Sequence, residues 1–367
     1  MRIGFDAKRL FHNHTGLGVY SRRLVEGLAK HHVEHEYLLY AQKVEQSRYK
    51  AKFKDFSLRP GKGWAWRTVG LSKDIVSDAC DLYHGLSHEL PLNLHKRGIK
   101  TVVTMHDVIF KVDPDLFPYV DRKIYDLKWR YSCKHANAII AVSEHTRCDL
   151  IELYNVPDEK IRVIYPPVPP PPIPNILVDQ SVENKYGLSE PFWLFVGAIN
   201  PRKNLLGILR AMLISKGSMP LVVVGSGGSY EKKVRQFVVQ NGLSPRVRFM
   251  GHLPNEELPI FYRRATALIY PSHYEGFGIP LVESLHNGTP VITSNSSSMP
   301  EAAGPGAILV DPDSPEDIAE AMSKMSSSPT LRSELSTAGR LHAQRFTTEK
   351  VVQHTMNLYK YLSTSQY

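Results

Sequence analysis

Residues 166–174 read PPVPPPPIP, seven prolines in nine positions. Proline has no N–H and a fixed φ, so such a run can neither enter a sheet interior nor continue a helix, and it runs as extended polyproline. It divides the chain. At 367 residues the whole is long for one core and suits two domains of ordinary size. On both sides one pattern recurs: a short apolar run, a glycine-bearing loop, then an amphipathic segment. Before the prolines the strand-like runs are RIGFDAK, YLLYA, DLYHGLS, TVVTMH, NAIIAVS and IRVIYPPV, with helices expected at 19–31 and 144–154. After them come FWLFVGAI, PLVVVGSGG, RVRFMGHL, ALIYP, PVITSN and GAILVDP, with helices at 205–215, 230–241, 256–264 and 280–287, and three more between 315 and 362. Alternating strand and helix argues for an α/β chain of two Rossmann-like, doubly wound parallel sheets, residues 1–168 and 175–349. A cleft between the carboxyl ends of their strands would be the natural place for a ligand.

The stretch that carries most chemistry is SHYEGFGIPLVESLHNG, residues 272–288. It leaves a buried strand, turns on Gly276, Phe277 and Gly278, and enters a helix with Pro280 in its first turn. A helix start offers unpaired N–H groups and the positive end of a dipole, which suits phosphate. Glu275 and Glu283 flank the turn, and ionised carboxylates suit vicinal hydroxyls. Phosphate and diols together describe a nucleotide sugar. A lone glutamate in such a helix is more often merely solvated. FVGAINPRKN, residues 195–204, adds Arg202 and Lys203 between a strand and a helix, two cations able to hold a diphosphate as its charge grows. An isolated Arg-Lys pair would more often be an exposed loop. His106 ends the apolar strand TVVTMH, either as a polar cap or as a group facing the cleft, and Gly16 and Gly18 lie in the loop FHNHTGLGVY. His84 and His88, in YHGLSHELP, are further cleft candidates.

Glu275-Gly-Phe-Gly-x-Pro-x-x-Glu283 resembles the E-x7-E signature of retaining GT-B glycosyltransferases of family 4 (glycosyltransferase group 1), and the resemblance runs over nearly the whole chain. It implies a GT-B fold with a central cleft, in which the last helix, within 350–367, crosses back onto the amino-terminal, acceptor-side domain. It implies that Lys203 binds the donor diphosphate. The family's arginine directly follows the VG of this strand, where this chain has Ala198, so Arg202 stands in for it. It further implies that His106 touches the transferred sugar, that Gly16 approaches the donor phosphate, that Glu275 holds sugar hydroxyls, that Glu283 holds the ribose, and that no metal is needed. DAKRLFHNHTGLGVYSRRL and VGAINPRKN resemble the mannosyl- and rhamnosyltransferase-like branch that builds bacterial surface polysaccharides such as lipopolysaccharide. GDP-mannose is then the first donor to try and a glycan or lipid-linked molecule the acceptor. A nucleotide-sugar 2-epimerase of the same architecture and a non-catalytic nucleotide-sugar-binding subunit are the competing readings.

Bulk properties narrow the setting. The expectation is a cytoplasmic protein, peripheral on the inner face of the cell membrane, since no run of 18 apolar residues and no signal-peptide core is present. Cys80, Cys133 and Cys148 have no metal-ligand spacing. The net charge of +9 suits anionic partners, and no nucleic-acid-binding pattern accompanies it. Residues 43–67 mix eight cations with Tyr49, Phe53, Phe56, Trp64 and Trp66, a composition that suits an anionic bilayer or else a solvated loop over the core. Asp113-Pro-Asp115 and Asp311-Pro-Asp313 have the spacing of a metal-binding DxD but also of ordinary turns, and no metal site is expected.

Overall fold

Apolar runs bounded by glycine, proline or polar residues become the strands of two parallel sheets. The computed structural model describes residues 1–215 and 217–364. The chain forms two compact units, Met1–Pro167 together with the segment from Thr348, and Val168–Thr347.

In the first unit the strands are β1 (Arg2–Asp6), β2 (Glu36–Ala41), β3 (Ser57–Pro60), β4 (Leu82–Gly85), β5 (Lys100–Met105), β6 (Ala138–Ala141) and β7 (Ile161–Val163). They lie in the order β3-β2-β1-β4-β5-β6-β7, every pair parallel. The second unit has β8 (Trp193–Val196), β9 (Leu221–Val224), β10 (Val247–Gly251), β11 (Ala267–Tyr270), β12 (Val291–Ser294) and β13 (Ala307–Val310). Their order, β10-β9-β8-β11-β12-β13, repeats the winding of the first sheet. In each unit the winding reverses beside the first strand, between β1 and β4 and between β8 and β11. At such a reversal the flanking loops leave in opposite directions and open a crevice at the carboxyl ends. Parallel strands buried on both faces read as continuous apolar runs, which is why these were recognisable.

Three helices among the elements that differ from expectation bear on the site and its surroundings. The helix after β1 begins at Gly16 and runs to His31, not from 19, because the Asn13 side chain accepts from Thr15 and Gly18 N–H and the Thr15 carbonyl accepts from Gly18 and Val19. A 17-residue helix, Tyr119–His135, follows β5 where no helix was expected. Another, Ile176–Tyr186, starts directly after the prolines, capped by the Asn175 side chain on Leu177 and Val178 N–H. Within the proline run, Val168 is fully buried and donates to the Phe346 carbonyl at 2.8 Å.

Residues 43–67 are largely absorbed into the first unit. Ser57–Pro60 is the edge strand β3, and Phe53 is fully buried. Lys50, Lys52, Arg59 and Arg67 pair with Glu45, Glu26, Asp78 and Asp6 respectively. The helix Thr348–Thr364 also belongs to this unit. It lies along Gly16–His31 where Gly27 leaves a bare patch: a Cβ there would stand 2.5 Å from Thr348 and 2.7 Å from Val352. Tyr359 anchors it by a 2.5 Å hydrogen bond to His84 at the centre of the sheet.

Candidate active site

The crevice between β8 and β11 is where the candidate residues meet. After β8 the chain passes Gly197 and makes a tight turn, Pro201–Lys203, held by the Asn200 side chain accepting from Lys203 N–H at 3.1 Å. Asn204, in the left-handed region at φ 55°, then caps the helix Leu205–Ile214 through Gly207 N–H. Gly197 has φ +147°, and a Cβ there would press within 3.1 Å of the Lys203 stem, so glycine lets the lysine fold back over its own strand end. Lys203 is thereby carried inward, 9% exposed, with Nζ 2.8 Å from Glu275 Oε1 and bonded to Tyr270 Oη.

Glu275 sits opposite, on the loop after β11. Arg202 Nη1 meets its other oxygen at 2.6 Å and also donates to the Tyr274 carbonyl at 2.6 Å. Tyr270 Oη and Ser272 Oγ donate to Oε1 at 2.9 and 3.3 Å. The Glu275 main chain is gripped too, its N–H donating to Ser297 Oγ and its carbonyl accepting from the Ser297 and Ser298 hydroxyls at 2.7 and 2.8 Å. Ser297 holds a left-handed φ of 57° to do this, a strained conformation of the kind found where a loop is over-determined. Burial alone would raise the Glu275 carboxyl, but the charges of Lys203 and Arg202 outweigh it and hold the group at about 2. Burial lowers the Lys203 ammonium from its ordinary value, with Arg202 acting in the same direction and Glu275 against.

Beyond Glu275 the turn reaches the helix Ile279–His286. Gly278 has φ +100°, and a Cβ on it would come within 2.8 Å of Met299, so this corner requires glycine. Phe277 is 4% exposed and packs edge-on against Phe346 at 5.1 Å. Its side chain is core, which leaves its main chain as the part able to serve a ligand. Glu283 accepts from Tyr262 Oη at 3.2 Å. The two carboxylates that flank the turn are thus held by different partners, Glu275 by cations and Glu283 by a buried phenol.

In the first unit Gly16 is the exposed first residue of its helix, with nothing within 4 Å of where a Cβ would be. His106 ends β5. Its Nε2 donates to the Leu86 carbonyl at 2.9 Å, which leaves the lone pair of the neutral ring at Nδ1. Burial pushes its pKa down to about 4. His88 accepts from His106 N–H at 3.0 Å and stacks on Trp129 at 4.1 Å. His84 is fully buried, bridging Tyr359 and Thr104, and burial takes it to about 3. Both are packing groups around His106, contrary to the expectation that they face a ligand.

Sequence reasoning also missed a cluster at the end of β1. Arg67, counted there as part of a basic surface segment, is held between Asp6 and Glu89, its Nη1 2.7 Å from Glu89 and its Nε 3.0 Å from Asp6. A cavity of about 250 Å³ opens beside it, lined by Asp6, Lys8, His12, Lys43 and Trp66 among others. The signal was the acidic ending of RIGFD, polar where the strand meets the crevice. In the second unit Ser272, Ser297 and Ser298 were missed; the serine run SNSSS, residues 294–298, was the signal for the last two. Asp311 is engaged in an Asx turn, its side chain accepting from Asp313 N–H at 2.8 Å. Among the described residues no group of three or more His, Cys, Asp or Glu is placed to hold a metal ion, and no helix is long and apolar enough to cross a membrane.

Two family descriptions match the chain, one in each unit. Residues 14–170 match Glycosyltransferase Family 4, and residues 179–342 match Glycosyl transferases group 1. The chain is 29% identical over 292 residues to O-antigen chain mannosyltransferase B of Escherichia coli, covering 77% of this chain and 74% of that one. It is 30% identical over 226 residues to O-antigen chain mannosyltransferase RfbU of Salmonella typhimurium, covering 62% of this chain and 59% of that protein. The crystal structure of HepE from Anabaena in complex with UDP and glucose superposes with a TM-score of 0.78 over 98% of this chain and all of that one, at 17% identity, a likeness of fold.

Proposed function

Since the chain belongs to the group 1, family 4 glycosyltransferases and has their two-sheet GT-B fold, we propose that it moves a hexosyl group, mannose being the first to test, from a nucleoside diphosphate to a glycan or lipid-linked acceptor. The setting is surface polysaccharide synthesis at the inner face of the cell membrane. The anomeric configuration is retained and no metal ion takes part. The observation that carries the reading is the ion cluster of Arg202, Lys203 and Glu275 at the β8/β11 reversal, beside a glycine-hinged helix start.

Two cations beside helix N–H groups suit a diphosphate whose charge grows as the glycosidic bond breaks. Arg202 and Lys203 hold it, with the amides of Gly276, Phe277 and Gly278. Glu283 takes the ribose hydroxyls. His106, neutral with its lone pair at Nδ1, accepts from a sugar hydroxyl, and Gly16 leaves room for the donor. A carboxyl held at about 2 is a poor base, so Glu275 orients cations and sugar hydroxyls rather than taking a proton. The proton's destination is then the leaving group itself. The anomeric carbon–oxygen bond breaks with its electron pair going to the β-phosphate oxygen, the acceptor oxygen bonds to the anomeric carbon from the same face, and its proton passes to that phosphate oxygen.

The test is release of nucleoside diphosphate from a panel of nucleotide sugars in the presence of lipid-linked acceptor, with product configuration read by NMR. GDP-mannose is expected to turn over, with rates undisturbed by EDTA. Lys203→Ala is expected to lower kcat by about 10²–10³-fold, the usual cost of losing one charge-stabilising group. Inversion of configuration, a rate abolished by EDTA and restored by manganese, or unchanged turnover in Lys203→Ala would each overturn the corresponding part.

A further inference from the structure

The helix Tyr119–His135 turns the wrong side to water. Its inner face packs Trp129, Ser132 and Cys133 into the first unit's core. Its outer face carries Val120, Ile124 and Leu127 at helical spacing, 65%, 45% and 73% exposed, and its first residue Tyr119 with Leu116 and Val112 in the preceding segment adds further exposed apolar surface. Scattered exposed apolar residues need no explanation, but a contiguous patch on a monomer marks a docking surface.

The charges around the patch indicate the partner. Lys123 lies on the same face, between Val120 and Leu127, and Arg122 and Lys123 both stand over the Tyr119 ring at 5.5 and 5.4 Å. Lys134 and Arg130 continue the exposed side, Arg130 paired with Asp126. Asp113, Asp115 and Asp121 are the acidic neighbours, and over residues 111–134 six cations face four carboxylates within a chain of net charge +9. A lysine in the middle of an apolar patch is poorly suited to a protein interface, whose core excludes lysine because its charge would be desolvated. At a lipid surface the same residue lays its stem on the acyl boundary and lifts its charge to the headgroups, while tyrosine sits at headgroup depth.

We infer that Val112, Leu116, Tyr119, Val120, Ile124 and Leu127 form a lipid-docking face that seats the first unit on an anionic bilayer. The face is coupled to the site. The link is a packing one: Trp129 on the helix's inner side stacks on His88, which holds the His106 main chain. Docking brings the first unit to the membrane, where a lipid-linked acceptor would be met. This last point rests on the transferase reading; the docking face does not. Residues 43–67 are the rival contact, but four of their eight cations are paired with carboxylates within the fold.

The test is co-sedimentation of the full chain with vesicles of phosphatidylglycerol and phosphatidylethanolamine, against vesicles of phosphatidylcholine alone. The native chain is expected to partition to the anionic vesicles. The triple change Val120→Ser, Ile124→Ser, Leu127→Ser should lower that partition more than tenfold, and Lys50→Glu with Lys54→Glu should leave it within twofold. All these positions are on the surface, so circular dichroism and transfer to a water-soluble acceptor should be unchanged in both variants. Equal partition of the triple variant overturns the proposal, as does a shift from dimer to monomer in sedimentation velocity, which would make the occupant a second copy. Failure of every nucleotide sugar to turn over, with vesicle binding intact, would sink the transferase reading and leave the docking face standing.

Discussion

At Glu275 two demands meet in one side chain. Its carboxylate neutralises Arg202 and Lys203, the cations that must later receive a diphosphate. Removing one partner of a buried ion pair costs on the order of 3–5 kcal/mol, because the other charge is left without compensation. Glu275→Gln keeps the shape and removes the charge. Its melting temperature without ligand is expected to fall by several degrees, and GDP or UDP, which brings negative charge back to the two cations, should raise it by more than it raises the native chain. Turnover should fall at the same time. Equal nucleotide-induced shifts in the two proteins would refute this account. That Glu275 and Lys203 both stand at the ends of apolar strands was legible in the sequence, and the family resemblance gave them one ligand; the pairing of β8 with β11 that joins them came from the fold. The grip of Ser297 and Ser298 on the Glu275 main chain was not. It depends on a left-handed backbone at Ser297, which no residue type announces when the residue is not glycine.

Among elements, every strand but β3 was legible and the helices Tyr119–His135 and Ile176–Tyr186 were not, for a physical reason in each case. YVDRKIYDLKWRYSCKH puts apolar residues on both faces of its helix, so the usual contrast between a buried and a wetted side is missing. Ile176–Tyr186 was hidden by the prolines before it, and β3 by its polar, proline-ended sequence on a sheet edge. The strand ends of the first sheet lead to a pH prediction. His106 is held neutral down to about 4 and His84 down to about 3, and burial takes His88 well below its ordinary value. Once unfolded, each takes up a proton near its ordinary value of about 6.5. Below that pH the unfolded chain therefore binds more protons than the folded one, and stability falls as pH falls, by up to about 1.4 kcal/mol per pH unit for each histidine, flattening only as the folded values are reached. Urea midpoints followed by hydrogen exchange on β4 and β5 between pH 7 and 4 should show this slope, shallower in His84→Gln; a slope unchanged by that substitution would count against it.

For the whole molecule, the two sheets share one winding order, and in each the chemistry gathers where that order reverses: Arg202, Lys203 and Glu275 beside β8 and β11, and Asp6, Arg67 and Glu89 beside β1 and β4. The units differ in how their chain is supplied. Val168–Thr347 is one continuous stretch, whereas the first unit is closed by Thr348–Thr364, whose Val352 lies against Gly27 and whose Tyr359 bonds to His84. A chain stopped at Thr347 is expected to keep a cooperative transition for the second unit and lose that of the first, as hydrogen exchange on β4 and β5 would report; full protection of those strands would contradict it. On a ribosome adding about 5–20 residues per second, the roughly 180 residues between Pro167 and the closing helix take about 10–40 s to make. For that interval the first half of the newborn protein waits with an open apolar groove along Gly16–His31, and so the half made first is the last to finish folding and the one most dependent on a chaperone.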